Sequence, residues 1–179
     1  MSQTLVIYST VDGQTKAICQ KIKEINMQMG DDVTLLSLAE AKKAILKDYD
    51  KILLGASIRY GKHRAELYQF IDENNALLSK KISGFFSVNV VARKPEKNTP
   101  ETNPYMLKFL TLSSWKPQML GVFAGKIDYP KYGFFDRFMI RFIMKMTKGP
   151  TDIKGTFEFT DWEQVTNFAE KFAKLKPVE

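Results

Sequence analysis

Three hydroxyl side chains lie close to one glycine near the start of the chain, in the order Ser9, Thr10, Val11, Asp12, Gly13, Gln14, Thr15. This segment follows an apolar run at residues 5–7 and precedes a stretch of helical periodicity that begins near residue 16. The N–H groups of a first helical turn have no partner within the helix, and the helix dipole adds partial positive charge there. Hydroxyl donors, together with a glycine that allows close backbone approach, therefore predict an anion site.

The spacing of these residues restricts the kind of anion that they suit. It matches neither the GxxxxGK[ST] loop of nucleoside triphosphatases nor the GxGxxG loop of dinucleotide-binding folds. A loop with one glycine and several hydroxyls suits a single terminal phosphate, such as that of FMN. The alternative is an ordinary helix N-cap, with Asp12 or Thr10 as the capping residue.

The elements around this loop alternate between strand and helix. Five apolar runs are typical of strands, of which the fourth is unusually long: 4–8, 33–38, 51–55, 82–91 and 118–124. Helical periodicity lies between them, weakly at 39–46, and the last helix begins at a Thr160–Glu163 capping box. We therefore expect an α/β fold in one domain over residues 1–179, a flavodoxin-like doubly wound sheet of five parallel strands in the order 2-1-3-4-5.

A sheet of this kind binds ligands outside the carboxyl ends of its strands, between the first and third strands. The loop after the third strand contains Ala56, Ser57, Ile58, Arg59 and Tyr60, and Tyr60 offers a stacking surface for a flat ring. The fourth strand ends near Ser87, Val88, Asn89, Val90 and Val91. Together with residues 9–15, these two segments form the predicted cofactor site. We predict no metal site.

Residues 126–150 form an insertion before the last helix that a minimal fold of this class does not need. Between residues 126 and 148 there are six Lys or Arg and two Asp, and Arg137, Arg141 and Lys145 are four apart on one helical stripe. Nearly all other residues of 134–146 are Phe, Met or Ile. At about 20 Å this helix is too short to span a bilayer. We expect residues 134–148 to lie on an anionic membrane surface, and the alternative is a core or dimer-interface helix.

The composition fits a globular protein with an anionic partner. The chain has 179 residues, 44% of them hydrophobic, and a net charge of +7. Its single cysteine, Cys19, lies among isoleucines and is expected in the core, which excludes a disulfide framework and fits a reducing cytosol. No secretory signal or spanning segment is evident. Since the aromatic residues of the insertion form an apolar stripe and do not alternate with basic residues in a groove, we expect no nucleic-acid partner.

Taken together, the chain resembles the flavodoxin-like protoporphyrinogen IX dehydrogenases that pass electrons to menaquinone. The resemblance runs nearly end to end and is carried by residues 9–15, 55–61, 87–97, 132, 136–140, 143–146 and 160–165. It implies one non-covalent FMN per chain, oxidation of protoporphyrinogen IX to protoporphyrin IX in haem biosynthesis, and menaquinone or another quinone as acceptor. It also implies a cytoplasmic protein bound peripherally to the inner membrane. Asp12 stands where ordinary flavodoxins have a hydroxyl, and we expect its side chain to turn away and accept backbone N–H bonds.

Few side chains of the chain suit catalysis beyond the cofactor itself. The candidates are Arg59, His63 and Arg93, with His63 as a proton shuttle and the arginines, Lys94 and Lys97 as partners of propionates. The alternatives are an exposed histidine without a role and a solvated loop for the two lysines. Two other functions stay open, a soluble flavodoxin-type electron carrier and an NAD(P)H:quinone reductase. The chain could also form a homo-oligomer.

Overall fold

A parallel sheet of five strands lies at the centre of the computed structural model, which describes residues 1–178. The strands are β1 (Gln3–Ser9), β2 (Asp32–Ser37), β3 (Lys51–Ser57), β4 (Ile82–Asn89) and β5 (Met119–Ala124). Their order is β2-β1-β3-β4-β5, which confirms the predicted order. Ser9 lies opposite Ala56, and Ala56 lies opposite Ser87, so β1, β3 and β4 end side by side at one edge.

Six helices accompany the sheet within the described residues. They are α1 (Gln14–Gln28), α2 (Leu38–Ala41), α3 (Ala65–Leu78), α4 (Pro104–Leu112), α5 (Phe134–Met146) and α6 (Trp162–Ala173). Successive residues of a strand point to opposite faces of the sheet. Accordingly Val6 packs in a cluster with residues of α1 and α6, while Leu5 and Ile7 pack in another with residues of α3 and α4. Cys19 is fully buried in the first of these clusters, as predicted.

The structure corrects three predictions about where elements begin or end, and in two of them a side chain that bonds to the backbone is the cause. The fourth strand ends at Asn89 and not at residue 91, since the Asn89 side chain accepts the N–H of Ala92 and begins a 3₁₀ turn over Val90–Arg93. The predicted helix at 39–46 is limited to α2. The predicted Thr160–Glu163 capping box does not form, because Asp161 caps α6 and the Thr160 hydroxyl donates to the Ala124 carbonyl.

The insertion has a small sheet and a small core of its own. Two strands that the sequence did not indicate, β6 (Lys126–Asp128) and β7 (Thr156–Glu158), pair antiparallel on either side of α5 in the sequence. A third apolar cluster joins Ile127 and Tyr129 to Met144 on α5. Across residues 1–178, no helix combines the length and the hydropathy that crossing a bilayer requires.

Candidate functional site

A cleft opens at the carboxyl edge of the sheet, where the three predicted loops meet. Its lining includes residues from each loop: Thr10, Asp12, Gln14, Thr15, Ser57, Ile58, Arg59, Tyr60, Gly61, Val88, Asn89, Val90 and Val91. Five residues of the predicted cofactor site do not line it: Ser9, Val11, Gly13, Ala56 and Ser87. The three segments are thus brought together, with part of each turned away from the cleft.

The first loop enters α1 through a glycine in the left-handed region. Gly13 has a φ of 89° and is the residue that precedes α1, which has no side-chain cap. The Thr10 hydroxyl accepts the N–H of Gly13 over 3.0 Å and so stabilises the turn before the helix. The alternative that Asp12 or Thr10 simply caps α1 is therefore wrong, and the N–H groups of its first turn stay free of a capping side chain.

The hydroxyl of Thr15 is the feature of this loop that most clearly fits a ligand. Thr15 is fully buried and lines the cleft, yet its Oγ1 has no hydrogen-bond partner in the described part of the chain. Leaving a buried polar group unpaired costs about 1–3 kcal/mol. An anion oxygen at the first turn of α1 would satisfy this hydroxyl, so the loop fits the predicted terminal phosphate.

Asp12 does not behave as the sequence suggested. Asp12 is exposed and is among the residues that line the cleft. Its carboxylate accepts no hydrogen bond from residues 1–178, and α1 begins after Gly13 without a side-chain cap. Partial burial is the main cause of a raised Asp12 pKa, which Asp136 and Asp128 raise further and Arg59 and Lys131 oppose.

The second loop is a tight hairpin turn fixed to the insertion. Arg59 and Lys62 exchange backbone hydrogen bonds of 3.0 and 3.3 Å. Between them Tyr60 and Gly61 have φ angles of 50° and 76°, as in a type I′ turn. The side chains of Arg59 and Tyr60 both bond to the carboxylate of Asp136, in the first turn of α5. This contact holds the start of α5 against the second loop.

Arg93 anchors the other end of α5. Its guanidinium donates to the carbonyl of Val90 and to the carbonyl of Thr147, each over 3.0 Å. Thr147 follows the last residue of α5, where carbonyls are free and a cation is favoured by the helix dipole. Arg93 does not line the cleft. These contacts argue against its predicted role as a partner of propionates.

His63 lies in the core behind the third loop. It is 3% exposed, packs among Tyr68, Phe85 and Phe109, and has its Nε2 2.9 Å from the Ser87 hydroxyl. Burial, assisted by the charge of Lys108, lowers the pKa of His63 to about 4. The alternative that His63 is exposed is therefore wrong. A proton shuttle through His63 is also disfavoured, because the imidazole stays neutral near pH 7 and does not line the cleft.

A buried polar network continues from His63 to the third loop. The Asn89 amide donates to the Ser87 hydroxyl over 3.1 Å, and the Asn103 amide donates to the Asn89 side-chain oxygen over 2.9 Å. Ser87 is fully buried in this network. This network supports the backbone of Val88 and Asn89, two residues that line the cleft.

Several lining residues were missed because they come from elements outside the three loops: Tyr105, Gly125, Lys126, Ile127, Tyr132, Ile140, Ile143 and Met144. Ile140, Ile143 and Met144 form the inner face of α5, which covers the cleft. Their spacing of three and four residues marks one helical face and could have indicated them. Nothing in the sequence indicates that Tyr105 on α4 reaches the same cleft.

The opposite side of α5, which we call its outer face, is aromatic and exposed. It comprises Phe134, Phe135, Phe138, Phe142 and Met146. Phe134 is 87% exposed and Phe138 62%. Arg141 and Lys145 are also exposed, whereas Arg137 is half-buried and donates to the Tyr132 carbonyl over 3.1 Å. The predicted cationic stripe is therefore exposed to solvent at two of its three positions.

The fold and the cleft together define the class of the protein. The family described as flavodoxin domain matches residues 5–154. Solved structures similar to the chain include the two-electron reduced flavodoxin of Megasphaera elsdenii, at 13% identity over 97% of this chain and 100% of that chain, with a TM-score of 0.57. Oxidised Flavodoxin 1 from Bacillus cereus is also similar, at 15% identity over 97% and 98%, with a TM-score of 0.54. These structures support the fold.

Two relatives narrow the class further. The chain is 42% identical to the protein of Escherichia coli strain K12 named protoporphyrinogen IX dehydrogenase [quinone], over 97% of this chain and 96% of that protein. It is 46% identical to the protein of the same name from Leishmania major, over 96% of this chain and 74% of that protein. The chain therefore belongs to the flavodoxin-domain family and, within it, to the branch of the quinone-dependent protoporphyrinogen IX dehydrogenases.

Proposed function

We propose that the chain is an FMN-dependent oxidoreductase that converts protoporphyrinogen IX to protoporphyrin IX and passes the electrons to menaquinone or another quinone. The observation that carries this proposal is the position of α5, whose apolar inner face covers a cleft with the loops of a flavodoxin. The relatives' names give the substrate and the acceptor class.

One FMN would be held non-covalently by the three loops of the cleft. The first turn of α1 and the unpartnered Thr15 hydroxyl would hold the phosphate, while Tyr60 and the Val88–Val91 backbone would flank the ring. The flavin supplies the redox chemistry, because it accepts a hydride equivalent and returns two electrons to a quinone. The chain positions the reactants around it.

The substrate would lie between the flavin ring and α5. A reduced tetrapyrrole is a large apolar body, which suits the wall formed by Ile140, Ile143 and Met144. Its propionates need cations, and among the lysines of residues 1–178 only Lys126 lines the cleft. We therefore prefer Lys126 and Arg59 to Lys94 and Lys97 as their partners.

The electron balance requires three turnovers of the site for each porphyrin. Each turnover removes two electrons and two hydrogens from the tetrapyrrole and converts one quinone to its quinol. His63 lies outside the cleft and Cys19 in the core, so neither serves as a proton acceptor. The two protons that leave the tetrapyrrole in each turnover equal the two that the quinol takes up, so solvent at the mouth of the cleft would carry them without a net gain or loss.

The outer face of α5 would place this site on an anionic membrane, where the quinone is dissolved. Its phenylalanines would enter the interface while Arg141, Lys145 and Lys148 stay with the headgroups. The proposal therefore includes a peripheral position on the cytoplasmic face of the inner membrane. A second copy of the chain is the other occupant that this face could have.

The test is anaerobic turnover of protoporphyrinogen IX by the FMN-loaded protein with a menaquinone analogue. We expect porphyrin fluorescence to rise only when protein, FMN and quinone are all present. If NADPH reduces the quinone through this protein while protoporphyrinogen does not, the chain is an NAD(P)H:quinone reductase. If neither donor supports turnover but the flavin exchanges electrons with a reductase, it is an electron carrier.

A further inference from the structure

Asn89 and Asn103 form a pair of amides where the third loop meets the start of α4. The Asn103 amide donates to the Asn89 side-chain oxygen over 2.9 Å, and the Asn89 amide donates to the Asn103 side-chain oxygen over 3.2 Å. Both side chains are buried. Each oxygen also accepts a backbone N–H group, so the oxygen end of each amide is fixed and the nitrogen ends are the donors. The pair therefore has one defined arrangement.

Each amide of the pair also begins a helical turn. The Asn89 oxygen accepts the N–H of Ala92 over 3.1 Å and so begins the 3₁₀ turn Val90–Arg93. The Asn103 oxygen accepts the N–H groups of Tyr105 and of the residue after it, over 3.1 and 3.2 Å, and so caps α4. The pair thus connects two turns whose capping residues are 14 positions apart in the sequence.

Both turns contribute to the cleft. Val90 and Val91 in the 3₁₀ turn line it, and so does Tyr105 in the first turn of α4. Arg93, the last residue of the 3₁₀ turn, donates to the carbonyl of Thr147 at the end of α5 over 3.0 Å. The 3₁₀ turn therefore sets both the backbone that would flank the flavin ring and one end of the helix that covers the cleft.

The amide nitrogen of Asn103 is not needed for its capping role. A helix cap requires a side-chain oxygen, and Asn, Asp and Ser cap helices about equally well. The nitrogen of Asn103 instead donates to the Asn89 oxygen and to the Lys97 carbonyl, the latter over 2.9 Å. Asn103 does not line the cleft. Any effect of this nitrogen on the site must therefore pass through its two acceptors.

We propose that Asn103 is a positioning residue of the site, which acts through Asn89 to fix the 3₁₀ turn Val90–Arg93 beside the flavin ring. Donation from Asn103 holds the Asn89 oxygen in the orientation in which it accepts the Ala92 N–H. Without this bond the turn loses part of its support, and the backbone that flanks the ring is no longer held in place. This inference rests on the proposed binding of FMN.

The test uses Asn103→Ser, which keeps an oxygen for the cap of α4 and removes the amide that donates to Asn89. In fluorescence titrations of the apoprotein, FMN and riboflavin should both bind about tenfold more weakly than to the parent, because the ring end of the site is disturbed. The ratio of the two dissociation constants should stay as in the parent, because the phosphate end is unchanged. The visible circular dichroism of the bound flavin should change, since it depends on the surroundings of the ring.

Amide hydrogen exchange measures the same connection without a ligand. In Asn103→Ser, exchange at Ala92 and in the last turn of α5 should accelerate by about three- to tenfold. Exchange in the first turn of α4 should stay close to that of the parent, because Ser retains the cap. In an Asn89→Ala protein, Asn103→Ser should have no further effect on flavin binding, because the residue through which it acts is already removed.

Leu107→Gly is the matched control. Leu107 lies on the exposed side of α4, and glycine there weakens the helix without altering the amide pair. Exchange in α4 should accelerate in this variant, whereas exchange at Ala92 and the binding of both flavins should remain as in the parent. Asn103→Thr, which also offers a capping oxygen and fills more of the space of the amide, replaces Asn103→Ser if thermal unfolding shows that Asn103→Ser does not fold.

The outcomes separate this inference from the proposed function. If Asn103→Ser binds both flavins as the parent does, Asn103 only caps α4 and the inference is wrong, while FMN binding stands. The inference is also wrong if FMN binding alone weakens, which would assign the effect to the phosphate end, or if the effects of Asn89→Ala and Asn103→Ser are additive. If the parent binds neither flavin, the proposed function fails and this inference fails with it.

Discussion

Phenylalanine has opposite positions in the two regions of this molecule. In the sheet, Phe85, Phe86 and Phe123 are at most 1% exposed. On α5, Phe134 and Phe138 are 87% and 62% exposed. The sheet region, β1–β5 with their helices, uses aromatic side chains to fill its two cores. The insertion, together with the short strand β7 that follows it, instead displays the phenylalanines of α5 on the outer face of that helix. An exposed aromatic surface of this kind indicates contact with an apolar partner.

The sheet region and the insertion are connected by side-chain contacts at the cleft as well as by the polypeptide backbone. The first turn of α5 is held to the second loop by Asp136, and its end is held to the third loop by Arg93. The inner face of α5 lies across the cleft between these anchors. The insertion thus connects an exposed aromatic surface directly to the loops that would flank a flavin.

The largest difference is expected in the free energy of unfolding when one phenylalanine of each region is replaced by alanine. Phe86→Ala should lower the free energy of unfolding by about 3–5 kcal/mol, because it leaves a cavity in a fully buried cluster. Phe138→Ala should change it by less than about 0.5 kcal/mol, because that side chain is exposed. Urea unfolding of both variants measures the difference. Equal losses would mean that the outer face of α5 is packed in solution, as in a dimer.

The second largest effect is expected on the pH dependence of stability, and it comes from His63 in the polar network behind the cleft. The pKa of folded His63, about 4, lies below its ordinary value because burial favours the neutral form. Stability is therefore fully present above about pH 6.5 and is lost as the pH falls towards 4, by up to about 3 kcal/mol, since the unfolded chain binds a proton that the folded one refuses.

His63→Gln should remove this part of the acid sensitivity. Urea midpoints of the parent and the variant, measured from about pH 7 to 4.5, isolate it because the carboxylates are common to both. The stability of the parent should fall more steeply than that of the variant. Parallel curves would contradict a buried neutral imidazole.

A smaller effect is expected for the hydroxyl at the phosphate end. Thr15→Val should weaken FMN binding by about 1–3 kcal/mol, roughly five- to 150-fold, because it removes a hydrogen bond to a charged group. Its unfolding free energy should stay nearly unchanged or rise, since the hydroxyl has no partner in the described chain. Thr111→Val, on the exposed side of α4, is the matched control and should bind FMN like the parent. Unchanged FMN affinity in Thr15→Val would place the phosphate elsewhere.

The smallest effect is expected from the ion pair between Arg59 and Asp136, which holds the start of α5 to the second loop. Asp136→Asn removes the charge that pairs with Arg59, a partly exposed contact whose loss should cost about 1 kcal/mol or less. Amide hydrogen exchange in the first turn of α5 should then accelerate by about three- to fivefold. Asp161→Asn, which alters the start of α6, should leave α5 unaffected. If exchange in α5 does not change in Asp136→Asn, this contact does not hold the helix.

The fold was largely predictable because its strands are continuous apolar runs and its loops carry turn residues. The prediction was wrong where one side chain decided the outcome, as at Asn89, whose cap ends a strand that Val90 and Val91 would otherwise extend. The three-residue strands β6 and β7 are too short for a periodic signal.

The site was predictable as far as the three loops, because the carboxyl edge of a parallel sheet gathers them. The residues that cover the cleft were not predictable, because Tyr105 and the inner face of α5 reach the cleft only through tertiary packing. Nor could the sequence show that Arg93 and His63 have structural partners. The burial of a single charged or titratable residue cannot be predicted from its sequence position alone.

The proposed function requires that the sheet region hold a flavin that protoporphyrinogen reduces and a quinone reoxidises. The most direct measurement mixes the oxidised FMN-loaded protein anaerobically with protoporphyrinogen IX and follows the flavin absorbance. We predict bleaching of the flavin as porphyrin forms, and full recovery on adding a menaquinone analogue, faster when anionic vesicles carry the quinone. A flavin that stays oxidised with protoporphyrinogen but is bleached by NADPH would show that the protein is not a protoporphyrinogen dehydrogenase.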